Sequence, residues 1–240
     1  MMSYVKQVVE HLQTTGICVI EDYYSKTDCE KCVSDIDRCM IEFEDKIQRH
    51  AEINEGNDGD ERLFKIENQS NLALKLSQDD FIHEVAKHFY DGFDCETVQV
   101  LGQRLVFDSK YTRGSGGGWH VDSKNIKQLK ALVYLTDVTE DNGAYMFLPN
   151  SHHLNLELRD DPRNRITRFT DEGVKNCGIE PFVVTGKKGT IILTNTSNIH
   201  RGSIIKKGER YSLTSYIHRS DKEVIDSMQR KWGEWYVPKK

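Results

Sequence analysis

Residues 130–147 read KALVYLTDVTEDNGAYMF, two short runs of β-branched and aromatic residues on either side of an Asn142-Gly143 turn. The pattern predicts a β-hairpin, because Asn-Gly favours the tight turns that join antiparallel strands. Comparable runs, punctuated by Gly, Asn and Pro, are VQVLGQRLVF at 98–107, PFVVT at 181–185, GTIILTN at 189–195 and RYSLTSYI at 210–217. From Thr97 onward the chain is therefore predicted to form a β-sandwich or barrel.

The N-terminal part has helical periodicity instead. Apolar residues recur at helical spacing between Tyr4 and Leu12, and Gly16 follows where a helix commonly ends. The run ICVI at residues 17–20 is short, apolar and β-branched, which predicts a buried strand. A second helix is predicted from Ser25, its N-cap, to about Gln48.

A third helix is predicted at residues 79–91, after an acidic, glycine-containing surface loop at 52–62. No internal repeat or proline-rich linker separates the two halves of the 240-residue chain, so we expect one domain. Its parts are a helix-rich support at 1–95, a β core at 96–220 and a C-terminal tail at 221–240. The predicted class is mainly β with flanking helices, an α+β fold.

Composition excludes several classes of protein. Lys and Arg total 33 against 38 Asp and Glu, for a net charge of −5, so nucleic acid is not an expected partner. No apolar run approaches the roughly 20 residues that span a bilayer, and the first residues do not resemble a signal peptide. Six cysteines are too few and too uneven for a disulfide framework, which favours a reduced, cytoplasmic protein.

The motif Trp119-His120-Val121-Asp122 places an imidazole and a carboxylate at i and i+2. In an extended chain these side chains point to the same face, so both can reach one metal ion. A third ligand must come from elsewhere, and His200 lies late in the β-rich region. Two histidines and one carboxylate with open positions form the facial triad of non-haem Fe(II) oxygenases.

Arg210 and Ser212 follow ten and twelve residues after His200, two positions apart on a predicted strand. A guanidinium beside a hydroxyl is suited to binding a carboxylate, the guanidinium in bidentate fashion. Each of these residues alone is commonly a surface or core residue. The ordered combination predicts a metal site beside a carboxylate anchor.

These motifs resemble the phytanoyl-CoA dioxygenase-like family of Fe(II)/2-oxoglutarate-dependent oxygenases. The resemblance runs through GICVIEDYYS at 16–25, WHVDS at 119–123, KALVYLTDVTEDNGAYMFLPNSHH at 130–153, and the segments KKGTIILTN, IHRG and GERYSLTSYI. The last segment also resembles prolyl hydroxylases of the wider superfamily. Asn150 stands where the family more often has Gly, in a turn that Asn tolerates.

The resemblance implies a double-stranded β-helix, the jelly roll of cupin-like proteins, with Fe(II) held by His120, Asp122 and His200. It further implies that 2-oxoglutarate chelates the iron and that its distal carboxylate meets Arg210 and Ser212. The co-substrate and O2 would then yield succinate, carbon dioxide and a hydroxylated substrate.

Other residues carry weaker predictions. Tyr134 is on the strand that commonly lines the 2-oxoglutarate pocket in the family, and Gln103 precedes the metal motif on another strand. Trp119 is a candidate pocket wall. The glycine-rich segment 110–118 is a candidate lid, and the polar segment 156–177 is a candidate substrate cover.

The substrate class stays open at this level. A small molecule is the leading prediction, and a prolyl or other protein hydroxylase is the alternative with the same chemistry. A cupin-like metal-binding protein without oxygenase activity is the alternative from another class, in which Arg210 would bind a different anion.

Overall fold

The computed structural model describes residues 2–49, 59–107, 115–122, 127–153 and 167–239. The helices are α1 (Met2–Thr14), α2 (Lys26–Glu42), α3 (Asn71–Ser77), α4 (Asp80–Phe89), α5 (Asp171–Asn176) and α6 (Lys222–Trp232). The strands are β1 (Ile17–Ile20), β2 (Gln48–Arg49), β3 (Asp60–Phe64), β4 (Cys95–Val106), β5 (Leu129–Tyr134), β6 (Tyr145–Phe147), β7 (Phe182–Val184), β8 (Ile191–Asn195), β9 (His200–Gly202) and β10 (Glu209–Arg219).

The predicted N-terminal helices are present, with one corrected boundary. The Ser25 side chain caps α2 by accepting from the Asp28 amide, as predicted. The helix ends at Glu42 rather than near Gln48, because Phe43 leaves the helical conformation and a 3-10 turn over Glu44–Lys46 leads into β2. Helix α3 was not predicted.

Three predictions about strands need correction. The runs on either side of Asn142-Gly143 do not form a hairpin, because β5 pairs with β8 and β10 in one sheet whereas β6 pairs with β7 and β9 in the other. The run at 17–20 forms β1 as expected, but it is an edge strand and only partly buried, because β8 alone pairs with it. The segment at 52–62 was predicted as a surface loop. Residues 51–58 lie outside the described part, whereas Asp60–Phe64 form β3 and pair with β4 inside the sheet.

Two antiparallel sheets face each other. One has the strand order β1-β8-β5-β10-β4-β3-β2, and the other has β7-β6-β9. Side chains from both sheets, such as Tyr134 and Ile192 on one and Tyr145 and Phe147 on the other, form a shared apolar cluster. This mostly antiparallel arrangement with flanking helices matches the predicted jelly-roll architecture.

The large sheet has two chemically different faces. On β10, Tyr211, Leu213 and Ile217 pack into the apolar core that also contains the buried faces of α1 to α4. The alternate residues Arg210, Ser212, Thr214, Tyr216 and His218 therefore point to the other face, which meets the small sheet. On β10, the face that meets the jelly-roll interior is thus lined by polar side chains.

Among the described residues, none of the helices is long and apolar enough to cross a bilayer. The segment at 221–240, predicted as a tail, contains α6. Trp232 at its end stacks on Phe64 of β3, with 4.7 Å between the ring centroids.

Gly189 and Gly92 form a matched pair for testing the close backbone contact between the N-terminal segment at Tyr24 and the loop before β8. Both have positive φ, 93° and 86° respectively. A Cβ on Gly189 would collide with the Tyr24 carbonyl oxygen, whereas nothing lies within 4 Å of one on Gly92. We expect Gly92→Ala to lower the free energy of unfolding by about 1–2 kcal/mol, and Gly189→Ala by a further 1–3 kcal/mol or so. Urea denaturation measures both, and equal losses would contradict the steric account.

Candidate metal centre and carboxylate anchor

His120, Asp122 and His200 lie together, and their candidate ligand atoms are all within 4.8 Å of one another. Nε2 of His120 is 3.9 Å from Oδ1 of Asp122, and Nε2 of His200 is 3.7 Å from Oδ2. Reciprocal backbone hydrogen bonds of 2.9 and 2.8 Å between His120 and His200 fix this approach. The sequence spacing therefore identified three side chains that the fold does bring together.

Hydrogen bonds set the tautomer of both histidines. Nδ1 of His120 is 2.8 Å from the Gly118 carbonyl oxygen, and Nδ1 of His200 is 2.8 Å from that of Asn198. A carbonyl oxygen can only accept, so each Nδ1 carries the proton and each Nε2 presents a lone pair. Burial lowers the pKa of His200, and burial together with His200 lowers the pKa of His120 well below its usual range.

Lys130 of β5 is the site residue that sequence reasoning missed. Its buried ammonium is 2.7 Å from Oδ2 of Asp122 and lies 4.2 Å from the centroid of the Tyr216 ring. Burial opposes ionisation of Asp122, but Lys130 and then the two histidines outweigh it and hold the pKa of Asp122 well below its usual range. A lysine inside an otherwise apolar strand was the available signal.

The geometry of the triad fits a transition-metal ion. Two neutral imidazole nitrogens and one ionised carboxylate are a donor set for Fe(II). The separations of 3.7 and 3.9 Å suit two ligands on one ion, since each metal–ligand bond is about 2.0–2.2 Å long. The two carbonyl oxygens that hold Nδ1 provide the outer hydrogen bonds that commonly orient metal-binding histidines.

Arg210 is buried on β10, and two of its hydrogen-bond acceptors are neutral. Its guanidinium donates to the Gly143 carbonyl oxygen and, over 2.6 Å, to Oε1 of Gln103. The hydroxyl of Ser212 donates to the same Gln103 oxygen over 3.3 Å. The fold thus brings Arg210, Ser212 and Gln103 together.

Asp60 and Arg62 support this cluster from β3, a role that the sequence analysis did not assign. Asp60 pairs with Arg62 at 2.8 and 3.0 Å, and accepts from Ser115 at 3.0 Å and from Gln103 at 2.5 Å. Gln103 therefore connects the Asp60–Arg62 pair to Arg210. These partners come from distant strands, so their association could not be read from local spacing.

Tyr134 lies where the sequence predicted, but its hydroxyl has structural partners. It donates to the Val184 carbonyl oxygen at 2.7 Å and accepts from the Tyr145 amide at 2.9 Å. Its direct contact with 2-oxoglutarate stays a prediction, and these bonds favour a role in joining the sheets. Trp119 is buried in an apolar cluster, and Arg201 covers its ring.

The two candidate covers lie partly outside the described residues. Of the segment 110–118, residues 110–114 are outside, and Gly116, Gly117 and Gly118 have positive φ. Of the segment 156–177, residues 156–166 are outside. The described part, 167–177, contains α5. In the same part, Arg168 donates to the Gly116 carbonyl oxygen beside His120.

Fold and donor set together define a jelly-roll metalloenzyme of the oxygenase type. The profile of the phytanoyl-CoA dioxygenase family matches residues 12–205. The chain belongs to this family, and the predicted class of enzyme, a non-haem Fe(II)/2-oxoglutarate-dependent dioxygenase, is confirmed. No curated protein matches the chain at a significant level.

Solved structures with the same fold include three enzymes that were crystallised with bound ligands. The epimerase SnoN, in complex with Fe3+, alpha ketoglutarate and nogalamycin RO, has a TM-score of 0.72 and 13% identity over 92% of this chain and 85% of that chain. HygX from Streptomyces hygroscopicus, with nickel, 2-oxoglutarate and hygromycin B, has a TM-score of 0.61 and 15% identity over 90% and 87%. EctD from S. alaskensis, with 2-oxoglutarate and 5-hydroxyectoine, has a TM-score of 0.62 and 20% identity over 88% of this chain and 75% of that chain.

The Asp60–Arg62 pair gives a stability prediction. Asp60→Asn removes the charge that balances a largely buried guanidinium, so we expect the free energy of unfolding to fall by about 3–5 kcal/mol. The neighbouring Glu61 pairs with the more exposed Arg49 at 3.2 Å, and Glu61→Gln should cost about 1 kcal/mol or less. Urea denaturation compares the two, and similar losses would mean that the buried pair contributes no more than the surface pair.

Proposed function

We propose that this protein hydroxylates a small-molecule substrate and converts 2-oxoglutarate and O2 to succinate and carbon dioxide in the same turnover. The observation that carries the proposal is the His120–Asp122–His200 cluster. Its two Nε2 lone pairs and one carboxylate converge inside the jelly roll, and Arg210 stands on the same interior face. We further propose that the chain forms one catalytic domain.

In this proposal His120, Asp122 and His200 hold Fe(II). The bound metal supplies the coordination of 2-oxoglutarate and O2 and the oxidising chemistry. The protein contributes the fixed tautomer of both imidazoles, the burial that limits access of water, and the ammonium of Lys130, which orients the Asp122 carboxylate.

Arg210 and Ser212 bind the distal carboxylate of 2-oxoglutarate. The guanidinium is already held by Gly143 and Gln103, so its fork is oriented before the anion arrives. The Asp60–Arg62 pair fixes Gln103 in turn. The buried Asp60–Arg62 pair therefore has a function: through Gln103 it orients Arg210.

A small molecule is favoured over a protein as the substrate. The similar structures were solved with nogalamycin RO, hygromycin B and 5-hydroxyectoine, all small molecules. The polar interior also lies between two sheets rather than on an open surface. A peptide that stimulates succinate formation where small molecules do not would favour a protein hydroxylase instead.

The proposed roles are tested by an anaerobic titration of the purified protein with Fe(II) and then 2-oxoglutarate, followed by visible spectroscopy. We expect a charge-transfer band that needs both ligands. His200→Ala should abolish it. Arg210→Ala should weaken the apparent affinity for 2-oxoglutarate by about tenfold to a hundredfold, because a charge-assisted hydrogen bond contributes about 1.5–3 kcal/mol.

His88→Ala is the matched control, since His88 is a half-exposed residue on α4 whose Nδ1 faces the Glu84 carbonyl oxygen. It should leave the band unchanged. If the wild-type protein binds Fe(II) but forms no band with 2-oxoglutarate, the oxygenase proposal fails and a metal-binding protein of the cupin type replaces it.

A further inference from the structure

A second row of polar residues crosses the interior face of the large sheet. The proposed function gives a role to only one of them, Lys130. Strand pairing aligns Gln99 of β4 with Tyr216 of β10, and Tyr216 with Lys130 of β5. The anchor row, Gln103–Ser212–Tyr134, is aligned in the same way. The two rows are four residues apart on all three strands, about 13 Å along the sheet.

Gln99 is the unusual member of this row. Its side chain is fully buried, and neither its Nε2 nor its Oε1 has a hydrogen-bond partner among the described residues. Next to the row, Nδ1 of the buried His218 also lacks a partner there. Buried polar atoms are nearly always paired, and each unpaired one costs free energy, so three in one region require a cause.

The charges around the metal site indicate the sign of a ligand that would meet this row. Lys130 and Lys231 interact electrostatically with each other and with Asp122. In the proposed complex, the charges of Fe(II), dianionic 2-oxoglutarate, Asp122 and Arg210 cancel. The buried ammonium of Lys130 adds a positive charge to this neutral set of four groups.

We propose that Gln99, Tyr216 and Lys130 form the subsite for the primary substrate, and that this substrate is a small carboxylic acid that also carries a hydroxyl or amino group. The Gln99 amide donates to the carboxylate through Nε2 and accepts from the second group through Oε1. Lys130 balances the negative charge, and the Tyr216 ring stacks below the ammonium.

This inference rests on the proposed function. That proposal assigns Arg210 and Ser212 to 2-oxoglutarate and leaves Gln99 without an assigned ligand. If 2-oxoglutarate binds at the anchor row, the Gln99 row is the one available to the primary substrate. Burial lowers the pKa of His218 to about 4, so this neighbour is neutral at pH 7 and adds no charge to the subsite.

The first test is thermal unfolding of the metal-free protein, which does not depend on iron or 2-oxoglutarate. Gln99→Met removes two unpaired polar atoms at nearly constant volume, so we expect the midpoint to rise by about 2 °C or more. Gln103→Met is the matched control on the same face of the same strand. Its amide is fully paired with Asp60, Ser115 and Arg210, so its loss should lower the midpoint. An unchanged or lowered midpoint for Gln99→Met would overturn the subsite.

The second test uses acetate as the probe on the anaerobic Fe(II)–2-oxoglutarate complex, with acetamide and equimolar chloride as controls. Acetate should raise the unfolding midpoint of the wild-type complex more than either control, and Gln99→Met should remove the difference. An equal effect of acetamide, or an acetate effect retained in Gln99→Met, would refute a carboxylate subsite. A normal charge-transfer band in the same samples shows that the proposed function stands even where the subsite fails.

Discussion

The alternation of side chains along β10 and its neighbours is the constraint on which the rest of the structure depends. Residues that point to one face of the large sheet bury apolar groups against α1 to α4, and this contact stabilises the fold. The residues between them must point into the jelly roll. A shift of register by one residue would place Arg210 in the helical core and Leu213 at the carboxylate anchor beside Gln103. The register that satisfies the core therefore also assembles the site.

A polar interior is costly unless its groups satisfy one another. Around Arg210 they do so through a connected set in which Gln103 accepts from the guanidinium and donates to Asp60, which also binds Arg62. Around the metal ligands, Lys130 balances Asp122 and backbone carbonyls hold the imidazoles. Both arrangements orient functional groups before any ligand binds, which reduces the entropy lost on binding.

The sequence predicted what depends on local spacing. The i and i+2 placement of His120 and Asp122, the Ser25 cap and the alternation of RYSLTSYI are all short-range patterns, and the structure contains each of them. The features that the sequence did not predict depend on pairing between distant strands. Asp60 and Arg62 looked like part of an acidic loop, and Lys130 was assigned no role. Tyr134 had the predicted position, but its hydroxyl partners come from two other strands.

The pairing of β1 with β8 has a consequence for how the chain folds. Ile17 is aligned with Thr194, so the N-terminal edge of the large sheet is completed by a strand from late in the sequence. Contacts of such long sequence separation close large loops and slow the rate-limiting step of folding. During synthesis, the apolar β1 must wait until β8 has left the ribosome. In that interval its unpaired backbone is open to association with other chains, so this edge is exposed to aggregation until β8 emerges.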